Sequence, residues 1–307
     1  MINVFAQTKI GGRETNQDRY ACFRVGGLGS PRTEDVCIII VSDGMGGHYS
    51  GDLYAECAVR HVFSALAQVI AQADMDSART QEPFADIFRR QLEGQKDDLL
   101  NSANRALVEE ADRKDLGLGG ATVSVCVICG NTVYCVNAGD SPIFLYNEYE
   151  NTAEEISLRD NEAETLVREG RIQRGSDEYY EGSSKLLSFL GKRETYTAAG
   201  EVESHFSSRT LKAGDVILIG SDGAFGQEIL SAESLADFLR GIPGVRYYCD
   251  RLMEKAAYST GDNQTLAVIR YISDAKDDAP QPAENRLPDK TEDVQTARRR
   301  WFDFGRK

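Results

Sequence analysis

An α+β fold of two mostly antiparallel sheets with helices packed outside them is the class that this 307-residue sequence predicts. Three observations carry it. Strand-like and helix-like segments come in blocks, not in β-α alternation, which disfavours a doubly wound parallel sheet. Two apolar, largely β-branched runs, 36–41 and 216–219, carry no polar interruption, as strands buried on both faces do. Each of those runs then leads into the same tripeptide, Ser-Asp-Gly, at Ser42–Gly44 and at Ser221–Gly223.

Taken in order, residues 2–9 read as an opening strand. The polar loop Gly11–Asp18 leads to a second strand over Arg19–Val25, and the turn-rich stretch 26–35 makes a hairpin into 36–41. Leu53, Cys57, Val62, Leu66, Val69 and Ile70 then form the apolar stripe of an amphipathic helix over 52–73. Pro83 opens a second helical stretch reaching Ala111, with a break expected in its polar middle, Glu93–Asp98, which contains Gly94. The period then changes. Residues 121–128 and 132–138 read as strands joined by the turn Gly130-Asn131, followed by a strand over 142–146. The polar stretch 159–197 reads as an irregular, partly helical flap over one edge of the core. Strands at 201–206 and 215–221, helices at 231–240 and 245–258, and a strand at 264–271 complete the folded unit, expected to span 1–273. The stretch 274–293 is rich in Asp, Glu, Pro and Ala, so 274–307 is expected to be a disordered tail. The tail ends in Arg298-Arg-Arg-Trp-Phe-Asp-Phe-Gly-Arg-Lys307, five basic residues against one acidic, around the only tryptophan in the chain.

Composition narrows the function classes. A formal net charge of −14 argues against nucleic acid and anionic membranes as partners. No apolar run reaches membrane-spanning length, and the first residues lack a signal-peptide pattern, so a reducing, cytoplasmic setting is expected. The cysteines number seven, an odd count, and Cys37, Cys126 and Cys135 sit in apolar runs as small hydrophobes. Cys126 and Cys129 have C-x-x-C spacing, but three positions along a strand face opposite sides, which makes a poor zinc or redox pair.

Five aspartates share a context: Asp18, Asp43, Asp140, Asp222 and Asp262 each stand in a loop beside a buried strand, among small or polar neighbours. Taken singly, each is a turn or cap residue. Taken together, converging carboxylates cannot all stay ionised without cations. Oxygen-only ligation, with a carbonyl such as that of Gly44 beside Asp43, points to Mg²⁺ or Mn²⁺. Such a metal pair activates water and clamps a phosphoryl oxygen. Arg13 offers a bidentate fork for phosphate.

The segments Arg13–Asp18, Asp43–His48, Gly120–Thr122, Asn137–Ser141, Ser221–Gly223 and Gly261–Thr265 occur in the order and rough spacing of the metal-dependent (type 2C) protein phosphatases. Over about 2–272 the chain resembles that family, most of all its bacterial branch. The resemblance implies a four-layer αββα sandwich with two Mn²⁺ or Mg²⁺ ions between the sheets. It implies hydrolysis of phosphoserine or phosphothreonine in proteins by a metal-bridging water, without a phosphoenzyme. By position, Asp43 would bridge both metals, Gly44 would give a carbonyl, and Asp18 would stand near the first metal. Asp222 and Asp262 would hold the other, Asp140 and Asp222 a weaker third, and Arg13 would hold the phosphate. The substrates would then be phosphoproteins, opposite a serine/threonine kinase. The chain departs from the pattern at Met45, where many eukaryotic members have a histidine proposed as general acid and bacterial members commonly have Met, and at Pro142, Asn161 and Gln227, which touch substrate contacts and flap geometry more than metal binding.

Other readings stay open beside this one. A phosphoprotein-binding pseudophosphatase would be expected to lose carboxylates, and all five are present. A hydrolase of small phosphate esters would keep them. The basic aromatic tail end suits an acidic partner, or the acidic core itself. His48 stands near the first Asp-Gly, whereas His61 and His205 read as helix and strand residues.

Overall fold

The structure, a computed structural model, describes residues 2–26, 35–46, 50–195, 198–226, 229, 231–242 and 244–272. The hairpin expected over 26–35 lies mostly outside the described residues; His48, Gln227 and the tail 274–307 lie wholly outside them.

The elements in chain order are β1 (Ile2–Lys9), β2 (Asp18–Val25), β3 (Val36–Gly46), α1 (Gly51–Thr80), α2 (Phe84–Gly94), α3 (Lys96–Arg113), β4 (Gly119–Ala121), β5 (Val123–Cys129), β6 (Thr132–Ala138), β7 (Ile143–Asn147) and β8 (Thr152–Glu155). There follow α4 (Glu162–Arg168), α5 (Asp177–Ser183), β9 (Arg193–Thr195), β10 (Ala198–Ala199), β11 (His205–Thr210), β12 (Asp215–Gly220), α6 (Asp222–Phe225), α7 (Ala232–Leu239), α8 (Val245–Ala256) and β13 (Gln264–Tyr271). One sheet has the order β1-β13-β12-β7-β8, the other β11-β6-β5-β3-β2, with β4 paired to β3. Every pairing within them is antiparallel.

Alternation along the central strands builds four layers. Val36, Ile38 and Ile40 of β3 pack with α1, α2 and α3. Cys37, Ile39 and Val41, one residue out of phase, pack between the sheets against Ile217 and Ile219 of β12 and Ala267 and Ile269 of β13. The opposite phase of those strands, Val216, Leu218, Leu266 and Val268, packs with α7 and α8. Period-two alternation thus puts one apolar set on the helices and the other on the facing sheet. This is the αββα sandwich that the resemblance implied. Cys126 and Cys129 fall on opposite sides of β5, one between the sheets and one under the helices, and the cysteines form no disulfide. Among the described residues no helix is long and apolar enough to cross a membrane.

Several segments differ from the sequence expectation, four of them with a clear cause in the structure. β3 does not stop before Asp43; it runs on to Gly46 because β4 pairs with Gly44–Gly46. The strand expected at 201–206 forms instead at 205–210, because the Asn101 side chain bonds both polar groups of the Val202 backbone (2.8 and 3.2 Å). The first helix continues to Thr80, its polar last turns tied through Asp76 to Gln72, Arg79 and Gln91. β8 was not expected; its Glu154 and Glu155 pair with Arg209 and Arg159, so ion pairs stand where a periodicity reading looks for apolar residues. The expected helix break falls at Gln95, between α2 and α3.

The flap region carries α4 and α5. It is tied to the sandwich at its root, where Asp160 N–H donates to the Gly139 carbonyl (3.0 Å), and at its exit, where Leu190 and Ala121 exchange two backbone bonds (2.8 and 2.9 Å).

Replacing Ile39 with Ala should cost about 2–5 kcal/mol, because the side chain is fully buried between two sheets that cannot collapse onto the void. Met75→Ala, on the exposed face of α1, should stay within about 0.5 kcal/mol. Urea denaturation of both variants checks this; equal effects would contradict the layer assignment.

Candidate metal centre

Where β3 leaves the inter-sheet layer, its side chains turn from apolar to Ser42 and Asp43. The neighbouring strand β2 opens on Asp18, which stands directly opposite Asp43 in the ladder. Like charges opposed across a ladder destabilise it unless something offsets them. From the other sheet, β12 ends at Gly220 and delivers Asp222, while the loop before β13 delivers Asp262. The turn after β6 delivers Asp140.

These groups meet at one cavity of about 670 Å³, whose walls include Arg13, Asp43, Gly44, Asp140, Asp222 and Asp262. Asp18 lies behind the wall, 2% exposed, its Oδ2 accepting from Ser221 Oγ (2.7 Å) and its Oδ1 buried without a hydrogen-bond partner. The small polar residues of the motifs hold the frame. Thr122 Oγ1 accepts from Asp43 N–H (3.0 Å), and Thr122 N–H donates to the Asp43 carbonyl (2.8 Å). Ser221 Oγ also accepts from Thr265 N–H (3.0 Å), joining β12 to β13 beneath Asp18. Asn263 Oδ1 accepts from Gln17 N–H (2.8 Å), while its Nδ2 donates to the Ile10 and Thr15 carbonyls (2.8 and 2.9 Å), fixing the loop that carries Arg13. Gly44 has no room for a side chain: a Cβ there would sit 1.9 Å from the Gly51 carbonyl oxygen.

Electrostatics follow from this crowding. Burial pushes the Asp43 carboxyl well above its usual range, and Asp18, Asp222, Asp140 and Asp262 push it further. Burial raises Asp18 to about 6, against the lowering effect of its Ser221 bond. Burial and then Asp222 raise Asp140 to about 7, partly countered by Asn161 and Arg159. Asp222 is raised by burial and by Asp262. Arg13 makes a bidentate pair with Asp262, Nε to Oδ1 at 2.9 Å and Nη2 to Oδ2 at 2.8 Å.

The donor set fits hard divalent cations. It is oxygen-only, it concentrates negative charge that a dication would offset, and it includes a buried carboxylate oxygen with no partner. The carboxylates ring the cavity without closing on one point. Among the described residues, no three His, Cys, Asp or Glu side chains are gathered as a ready ligand cluster. Asp262 is engaged by Arg13.

The model of the family described as Protein phosphatase 2C matches residues 8–256. The chain belongs to the protein phosphatase 2C family. Among its relatives, the protein phosphatase PhpP of Streptococcus pneumoniae serotype 2 is 27% identical over 271 residues, covering 87% of this chain and 97% of PhpP. The serine/threonine phosphatase stp of Listeria welshimeri is 26% identical over 234 residues, 76% of this chain and 83% of its own. A crystal structure of the catalytic domain of the serine/threonine protein phosphatase PstP, in complex with two manganese ions, superposes with a TM-score of 0.61 at 28% identity, over 89% of this chain and 99% of PstP's domain.

Met45 and Pro142, two departures from the family pattern, also line the cavity. His61 does not: it bonds Glu110 (2.7 Å) between α1 and α3, and His205 bonds Asp160 (2.7 Å). Sequence reasoning missed Arg159. It is largely enclosed, its side chain 10% exposed, lines the cavity, pairs with Glu155 (2.7 Å) and stands over the Phe144 ring at 5.7 Å. No local signal marks it, because the fold of the flap alone brings it there.

The raised carboxyls make a signed prediction for chelator-treated protein. Unfolded aspartates titrate near ~3.9, while folded Asp140 titrates at about 7. Between those values the folded state holds more protons, so stability falls as pH rises. Asp140→Asn removes this effect, so its melting temperature should gain on that of the natural protein from pH ~4 to ~7. A constant gap across that range, read by calorimetry, would contradict the crowded-carboxylate picture.

Proposed function

We propose that the chain hydrolyses phosphoserine and phosphothreonine in proteins, using two Mn²⁺ or Mg²⁺ ions at the carboxylate-lined cavity, with a weaker third. The observation that carries this reading is the convergence of Asp43, Asp140, Asp222 and Asp262 on one cavity beside Arg13, in a chain of the protein phosphatase 2C family. Membership of the family and the manganese-bound PstP relative support the same metals here. When bound, such ions supply Lewis acidity toward water and toward a phosphoryl oxygen, and offset the carboxylate charge.

The chain's own residues take the following roles on this reading. Asp43, with the carbonyl of Gly44, would serve both cations. Asp222 and Asp262 would hold the second cation, Asp140 and Asp222 the weaker third. Asp18, behind the wall, would stand near the first, through water, and add to the charge balance. Arg13, on an exposed loop, turns its fork to the phosphate, since its geometry matches two phosphate oxygens as it matches the Asp262 carboxylate. No cysteine or histidine among the described residues lines the cavity, which favours water over a thiol or imidazole as nucleophile. Tyr179, Tyr180 and Leu186 of the flap form the wall that a phosphoprotein segment would meet.

The same reading assigns the catalytic unit to 1–273, with 159–197 as its flap. It sets the protein opposite a serine/threonine kinase in the cytoplasm. The basic aromatic end of the tail 274–307 would recruit an acidic partner without entering the chemistry.

Asp43→Asn is the decisive variant. The amide keeps the size but loses the charge that offsets two dications, so turnover of a phosphothreonine peptide should fall at least ~10²–10³-fold. Folding should survive, because the substitution relieves repulsion. Phosphate release is measured with Mn²⁺, with Mg²⁺ and with chelator, on the peptide and on a small aryl phosphate. Near-normal turnover by folded Asp43→Asn would overturn the reading, and activity on the aryl phosphate alone would move it to small esters.

A further inference from the structure

The flap root and the Asp140 turn are zipped together by side chains. Asn137 Nδ2 donates to the Leu158 carbonyl (2.6 Å), and Leu158 N–H donates to Asn137 Oδ1 (3.2 Å). Two residues on, Asp160 N–H donates to the Gly139 carbonyl (3.0 Å). Asn161 closes the series, and it is bonded at both ends of its amide. Its Nδ2 donates to Asp140 Oδ2 (3.1 Å), while its Oδ1 caps α4 by accepting from Glu164 N–H (2.8 Å). Asn161 is 3% exposed, so water does not stand in for either partner.

The connection continues past the cap. Glu164, 1% exposed, holds Tyr179 Oη through Oε1 (2.7 Å) and Arg174 Nη2 through Oε2 (2.7 Å). Tyr179 lies on the cavity wall, as Asp140 and Asn161 do. A path of hydrogen bonds and one helix turn therefore runs from a carboxylate of the cavity floor to a residue of the cavity wall, and its first link is one planar amide. An amide has no slack between its two ends, so Asp140 cannot turn without pulling the cap of α4.

We infer that Asn161 is a positioning residue that couples the flap to the Asp140 carboxylate, so that a cation held by Asp140 and an ordered α4 favour each other. The inference rests on the metal-centre reading given above. By linkage the effect is mutual: whatever aims Asp140 at a cation steadies α4, and whatever orders α4 aims Asp140. Neither Arg159 nor the backbone contacts at the root can replace it. Arg159 spends its guanidinium on Glu155 and Glu164, and the backbone contacts fix the segment but not the carboxylate.

Two variants separate coupling from capping. Asn161→Ser keeps a good helix cap but is too short to reach Asp140. Asn161→Ala removes both bonds. The full chain is followed by amide hydrogen exchange over residues 162–184 and by calorimetric titration with Mn²⁺. In the natural protein, Mn²⁺ should slow exchange in α4 by about fivefold or more. In Asn161→Ser, exchange without Mn²⁺ should match the natural protein, the Mn²⁺-dependent slowing should vanish, and the weakest Mn²⁺ component should bind about tenfold less tightly, the loss of one hydrogen bond to a charged group. Asn161→Ala should in addition exchange faster without Mn²⁺. If Asn161→Ser keeps both the slowing and the weak component, Asn161 is only a cap and the inference fails. If the natural protein binds no Mn²⁺ at all, the metal-centre reading fails first and carries this inference with it.

Discussion

Repulsion among crowded carboxylates is the constraint on which the rest of this structure depends. Asp18 and Asp43 face each other across a strand pair, and Asp140, Asp222 and Asp262 converge on the same cavity from other elements. A fold selected for stability alone would not gather these charges, because each raises the free energy of ionising the others. The hydrophobic layers have to hold them there. Ile39, Val41, Ile217, Ile219, Ala267 and Ile269 lock the two sheets together directly behind the site. The opposite phase of the same strands is buried under helices on the outside. Stability is supplied in the layers and opposed at their edge, as is common where function requires strained electrostatics.

The small polar residues around the aspartates explain how that geometry is kept. Thr122 binds both backbone polar groups of Asp43, in the gap between β3's pairing with β5 and its pairing with β4. Ser221 spans Asp18 and Thr265, and Asn263 fastens the Arg13 loop to the loop of Asp262. Each replaces a regular ladder contact with a side-chain bond, so each sits where regular structure gives way to the site. The motifs of this family are therefore read as two interleaved sets: carboxylates that face the cavity, and hydroxyl or amide residues that hold the backbone beneath them.

Much of this was legible in the sequence. The uninterrupted runs at 36–41 and 216–219 announce strands covered on both faces, and the five aspartates stand out because each is placed beside a strand-like segment. Their convergence was inferred from repetition and order, not from spacing, and the cavity brings four of them together with Asp18 behind. What was not legible depends on contacts remote in sequence. Residues 201–204 carry strand-like residues, but Asn101 of α3 takes the Val202 backbone. β8 is a polar strand held by Arg159 and Arg209. Arg159 itself enters the cavity because the flap folds over it, and the two-ended bond of Asn161 exists only once Asp140 and α4 are neighbours. Such features are set by tertiary partners, and no local period or composition records them.

The central claim is that these carboxylates are assembled to hold cations. It is tested most directly by diffraction from crystals grown with Mn²⁺, with data collected on both sides of the manganese absorption edge. The account predicts two strong anomalous peaks in the cavity, both in contact with Asp43, with the second also in contact with Asp222 and Asp262. Arg13 should have left Asp262 in that structure. Anomalous peaks confined to the outer surface, with the cavity free of manganese and Arg13 still paired to Asp262, would contradict it.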